Sequence, residues 1–151
     1  MANRKYLTFA KKAEEESFKN VARLFRTAAE SETIHAMNHL KAMDGIKSTL
    51  ENLKAAVEGE TYEKLEMYPK FIEEAENEGN KKAERTFRWA LEAEKVHAYP
   101  YSKAVEAVEK GGDVELGDLY AYELCGYTVE GEVPDGCPVC GARKDKFRKV
   151  G

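Results

Sequence analysis

Apolar residues recur every three to four positions through most of the chain, and this 3.6-residue period predicts four helices. The first covers about residues 2–16 and turns Tyr6, Phe9 and Ala13 inward. The second covers about 19–42, with Val21, Leu24, Phe25 and Ala28 inward. The third covers about 60–78, with Met67, Phe71 and Ala75 inward, and Gly79-Asn80 supplies its C-terminal cap. The fourth covers about 81–109, with Phe87, Leu91, Tyr101 and Val105 inward, and Pro100 inside it predicts a kink. Between the second and third lies a long connection, Asp44 to Gly59. It opens on an Asp44-Gly45 turn and carries a Ser48-x-x-Glu51 capping box for a short helix. Gly111-Gly112 marks a boundary. Beyond it Tyr120, Tyr122, Tyr127, Thr128 and Val129 stand among Gly and Pro, a pattern that suits short strands.

The helices come in two related pairs. Tyr6–Ala36 aligns with Tyr68–Ala98 without a gap, and fourteen of the 31 paired positions are identical, against about two expected from average usage. Two helices per copy and a long central connection predict a mainly α four-helix bundle over residues 1–112, followed by a small β module over 113–151. Composition agrees, with 42% hydrophobic and 34% charged residues in 151. The net charge of −4 comes from interspersed signs, so there is no basic stripe for nucleic acid or an anionic membrane. No apolar run approaches the roughly 18 residues of a span. Met1–Ala10 lacks a signal-peptide core, so a cytoplasmic protein is expected.

The polar residues that interrupt the apolar stripes carry the chemistry. Glu32 and His35 are three apart on the stripe Ala28, Glu32, His35, His39, and Glu94 and His97 sit likewise on the stripe Leu91, Glu94, Tyr101. A buried carboxylate is costly unless it is paired or binds a cation. Two Glu-x-x-His pairs in register with an internal repeat predict a dinuclear metal site. Glu60 and Glu63, one turn apart on the third helix, would add carboxylates, and His39 is expected beside the site or partly exposed. By the repeat, a matching carboxylate on the first helix falls near position −2 or +1. Residue 1 is Met, so that ligand is expected upstream of it; Glu14, Glu15 and Glu16 lie too far along the helix. The half of the site with His97 is therefore expected to be the stronger.

All three cysteines lie in the tail. Cys137-Pro138-Val139-Cys140-Gly141 is a metal knuckle, and Cys125-Gly126-Tyr127 repeats the second half of one. The position three before Cys125 is Tyr122, so only three thiolates are available. Glu123 or water would complete a site for iron or zinc; a module held by packing without metal is the alternative. An odd number of cysteines argues against a disulfide framework.

Jointly, Glu32-x-x-His35, Gly59-Glu60-Thr61-Tyr62-Glu63, Met67-Tyr68-Pro69, Glu94-x-x-His97 and the knuckles at Cys125 and Cys137–Cys140 resemble rubrerythrin over nearly the whole chain. The resemblance implies a ferritin-like di-iron bundle with a rubredoxin-like module. It implies a peroxidase that reduces hydrogen peroxide to water in oxidative-stress defence. Electrons would come from NAD(P)H through separate reductases and rubredoxin-type carriers. By position, Glu32 and Glu94 would bridge the irons, with His35 and His97 as terminal nitrogen ligands and Glu60 as a terminal carboxylate. Glu63 would exchange places with His35 as the redox state changes, and Tyr6 and Tyr68 would be phenols beside the centre. The family carries a first-helix Glu seven residues before the counterpart of Tyr6, and a cysteine at the counterpart of Tyr122. A homodimer is expected, with the first two helices able to exchange between copies. The rival expectations are a ferritin-like iron-binding or electron-transfer protein without peroxidase turnover, and a purely structural bundle with a degraded tail.

Overall fold

The structure, a computed structural model, describes all residues from Met1 to Gly151. The chain divides into two compact units, Met1–Lys47 and Ser48–Gly151.

The first unit is a helical hairpin of α1 (Ala2–Glu15) and α2 (Lys19–Ala42). The seam between them is lined with small residues: Ala10, Ala13, Ala22 and Ala29 are all buried. Alanine lets two helices approach closely but buries little apolar area per residue. Tyr6, Phe9 and Phe25 close one side as an aromatic cluster, with Tyr6 and Phe25 stacked at 6.2 Å and Phe9 meeting Phe25 edge-on at 5.5 Å. Val21 and Leu24, expected inside, are 43% and 69% exposed. A two-helix hairpin covers one stripe of each helix, and these two residues lie off that stripe.

The second unit begins at Ser48. Its hydroxyl accepts the Glu51 N–H at 3.3 Å, and the Glu51 carboxylate accepts the Ser48 N–H at 3.2 Å, so the capping box forms. The helix it starts does not stop at Gly59 as expected. α3 (Thr49–Tyr62) runs through a π-helical turn, Glu63–Met67, into α4 (Tyr68–Asn77). Proline explains the turn. Pro69 has no N–H to donate back to Leu65 and its ring crowds that carbonyl; the Tyr68 N–H instead reaches the Glu63 carbonyl, one residue farther back. α5 (Lys81–Glu109) follows, its start capped by the Asn80 side chain and Pro100 inside it. The tail is a three-stranded antiparallel sheet of β1 (Leu119–Tyr122), β2 (Thr128–Glu130) and β3 (Phe147–Val150), with β1 central. The expected classes are therefore present: a mainly α, ferritin-like set of helices with a small β module.

The sequence repeat is also a structural one. Tyr68, Phe71 and Phe87 form a second aromatic cluster at the counterparts of Tyr6, Phe9 and Phe25, with Phe71 and Phe87 5.4 Å apart. The turns match as well. Phe18 N–H donates to Ala13 O at 2.7 Å, and Asn80 N–H donates to Ala75 O at 2.8 Å. Between them, Ser17 and Gly79 occupy the same left-handed conformation, at φ +68° and +66°. Glycine accepts that conformation freely, whereas an L side chain pays about 1–2 kcal/mol for it. Allowing for the greater entropy that glycine loses on folding, Ser17→Gly should stabilise the protein by about 0.5–1 kcal/mol and Gly79→Ser should destabilise it by a similar amount. Urea midpoints of the two variants measure this.

Candidate metal centre

Glu94 and His97 project from α5 one turn apart, and Glu60 reaches them from the last turn of α3. His97 Nδ1 lies 2.7 Å from a Glu94 carboxylate oxygen and 3.2 Å from a Glu60 oxygen. One ligand atom from each residue lies within 4.8 Å of the other two. Glu94 is 9% exposed, a buried carboxylate in the wall of the helix pair. His97 Nε2 is buried and has no hydrogen-bond partner. Burial, and then the adjacent Glu60 carboxylate, push the Glu94 carboxyl up from about 4.5 to about 7, while the hydrogen bond from His97 pulls it down. Two carboxylates and an imidazole converging with no lysine or arginine among them form a donor set that fits a hard or borderline cation such as iron.

The remaining predicted residues divide by their place in the fold. Tyr68 stands beside this cluster: burial raises its phenol's pKa, and the charges of Glu94, Glu63 and Glu60 raise it further. Glu63 opens the π-helical turn and is not one of the three grouped ligands. Such turns recur at functional sites. Nothing in the hydropathy pattern signals this one, although Pro69 was a local clue. Glu32 and His35 belong to the first unit. Their nearest ligand atoms are 3.9 Å apart, with side chains 39% and 59% exposed. Tyr6 is held in the first unit's aromatic cluster, and His39 is exposed.

In the tail, the sulfurs of Cys125, Cys137 and Cys140 lie within 4.8 Å of one another, with 3.4 Å between the first two. Burial, followed by the neighbouring thiols, pushes the Cys125 thiol up to about 12. Burial opposes charge on Cys137 too, but the N–H groups of Cys140 and Val139 hold its thiolate, and its pKa falls below the ordinary value. Three sulfurs aimed at one point fit iron or zinc. Glu123, a candidate fourth ligand, is exposed and outside this group.

The sequence model described as rubrerythrin matches residues 1–105, and that of the rubrerythrin rubredoxin-like domain matches 123–148. The chain belongs to the rubrerythrin family. It is 38% identical to Rubrerythrin-2 of Clostridium acetobutylicum over 162 aligned residues, covering 98% of this chain and 88% of that one. It is 34% identical to nigerythrin of Nitratidesulfovibrio vulgaris, covering 97% of this chain and 78% of that one. A solved structure of nigerythrin in a partially reduced state superposes with a TM-score of 0.60 at 34% identity, over 99% of this chain and 79% of that one. The protein is thus a di-iron, rubredoxin-like member of a ferritin-like family. No helix is long and apolar enough to cross a membrane.

The Glu94 carboxyl gives the site a pH dependence with a definite sign. Without metal, the folded chain holds a proton at Glu94 up to about pH 7 that the unfolded chain releases near 4.5. The stability this group contributes is full below about 4.5 and is lost as the pH rises to about 7. A cation takes the proton's place. Adding ferrous iron anaerobically should therefore release more protons at pH 6 than at pH 8. An indicator-dye titration reads the difference, and Glu94→Gln should abolish it.

Proposed function

We propose that this protein reduces hydrogen peroxide to water at a di-iron centre, taking electrons that originate in NAD(P)H and arrive through separate redox proteins. The observation that carries the reading is the buried Glu94 carboxylate, joined to Glu60 and His97 in a cluster with no other cation to balance it. The family assignment supports it. Iron, when bound, supplies electrons to the O–O bond; each peroxide takes up two electrons and two protons and leaves as two waters.

The chain's own residues supply ligation, protons and access. His97 and Glu60 would hold one iron and Glu94 would bridge. By the family pattern, Glu32 and His35 are proposed as further iron ligands. Glu63, at the π-helical turn, is the carboxylate best placed on a non-α-helical backbone to change position with redox state. The phenol of Tyr68, kept protonated by burial and then by the carboxylates around it, can donate a hydrogen bond to an oxygen at the site. Tyr6 is assigned the same role from the other copy of the repeat. A cavity of about 550 Å³, lined by Glu60, His97, Tyr101, Leu119 and Tyr120, leads from the sheet to the ligands and would admit a small oxidant.

The division into a 1–112 di-iron bundle and a 113–151 metal module is retained on functional grounds. The hairpin's largely alanine core and exposed Leu24 and Val21 leave it with apolar surface to cover. We assign that surface to a homodimer, in which the first two helices can exchange between copies. Three reduced thiols suit the cytoplasm. One observation favours the second reading, an iron-binding or electron-transfer protein without peroxidase turnover: the tail has three thiols where a rubredoxin-type site needs four.

The test is single-turnover oxidation. The chain loaded anaerobically with ferrous iron should consume one peroxide per two irons, and Glu94→Ala or His97→Ala should slow oxidation by at least about 10-fold. Oxidation of both variants at the wild-type rate would remove the reading. Absence of multiple turnovers with NAD(P)H, a reductase and rubredoxin would favour the second.

A further inference from the structure

The tail contains one turn written twice. In Cys137-Pro138-Val139-Cys140-Gly141, the glycine sits at φ +71° and its N–H donates to the Cys137 carbonyl at 2.9 Å. In Tyr122-Glu123-Leu124-Cys125-Gly126, the glycine sits at φ +80° and its N–H donates to the Tyr122 carbonyl, also at 2.9 Å. Tyr122 therefore stands on the backbone position that presents a sulfur in the other turn.

Its side chain does not take the sulfur's place. Tyr122 is 1% exposed and is the largest fully buried side chain of the protein. Its ring meets Phe147 edge-on at 4.5 Å, and its hydroxyl donates to the Arg143 carbonyl at 2.8 Å. The hydroxyl's proton is thus committed to a backbone carbonyl and the ring to packing. The residue instead gives the tail a packed aromatic centre, which a module of this size otherwise obtains from a closed metal site. No histidine or carboxylate joins the three sulfurs. Cys140 is half-buried, at the edge of the cluster.

We propose that the tail holds a divalent cation on Cys125, Cys137 and Cys140 and completes it with an exchangeable ligand from solution, water or a small soft anion such as a thiolate. Three protein ligands and one open position are the arrangement of metal sites that bind and activate small molecules; closed four-sulfur shells belong to structural and electron-carrying sites. Exchange at the fourth position alters the charge and geometry of the shell, so such a site does not hold the fixed potential of a one-electron carrier.

Cobalt(II) loaded into the full chain reports the site directly. Thiolate-to-cobalt charge transfer arises from the cysteines alone, since the Glu60, Glu94 and His97 cluster has no sulfur. Failure here is thus distinguishable from failure of the peroxide reading. The cysteine-to-cobalt charge-transfer bands of the wild type should shift on adding imidazole and gain a further thiolate's absorbance on adding a small monothiol. Tyr122→Phe, which keeps the ring and loses the hydroxyl, should respond identically. Tyr122→Cys should show four-thiolate absorbance and ignore both additions. A wild-type spectrum that is indifferent to both ligands, a Tyr122→Phe variant that responds differently, or the absence of any thiolate–cobalt band would overturn the proposal.

Discussion

The second unit depends on how a carboxylate is kept inside it. Glu94 projects from the middle of α5 into the wall between helices, where an ionised carboxyl is poorly solvated. Left alone it would be among the costliest groups in the protein. It is stabilised by His97 one turn along the same helix, which also meets Glu60 from α3. That arrangement ties the middle of α5 to the last turn of α3. A second carboxylate beside the first adds repulsion that only a proton or a cation removes, so the packing already anticipates a bound metal.

Duplication explains much of the remaining architecture. Tyr6, Phe9 and Phe25 in one copy and Tyr68, Phe71 and Phe87 in the other build the same aromatic cluster, and Ser17 and Gly79 turn the chain in the same left-handed conformation. The copies have then diverged in what they bury. The second packs Ile72 and Ala75 against α5 and holds Glu94 inside. The first buries alanines and leaves Glu32 and His35 half exposed.

Much of this was legible in the sequence. The bounds of α2 and α5 follow from uninterrupted 3.6-residue periodicity, and the Glu-x-x-His spacing places both donors of each pair on one face. The capping box at Ser48 was legible as a helix start, but not the length of the helix that follows. Gly59 reads as a break in sequence, yet it is carried within α3 because the surrounding turns are good helix formers. The π-helical turn at Glu63–Met67 was not legible, since it is a response to Pro69 and leaves no periodic signature. Nor could spacing separate Glu60 from Glu63 as the residue that meets His97, because the two are neighbours on one helix face. In the tail the absence of a cysteine at 122 was plain, but whether the tyrosine would ligate, gape or pack depends on its rotamer. The structure shows it packed and hydrogen-bonded.

The central claim is that Glu60, Glu94 and His97 are the ligands of a resident metal. Anomalous scattering at the iron edge, from crystals of the chain loaded with iron, tests it most directly. The account predicts an iron peak in contact with all three residues. Well-ordered crystals of the loaded protein with no iron at His97, and with Glu94 and His97 still bonded to each other, would contradict it.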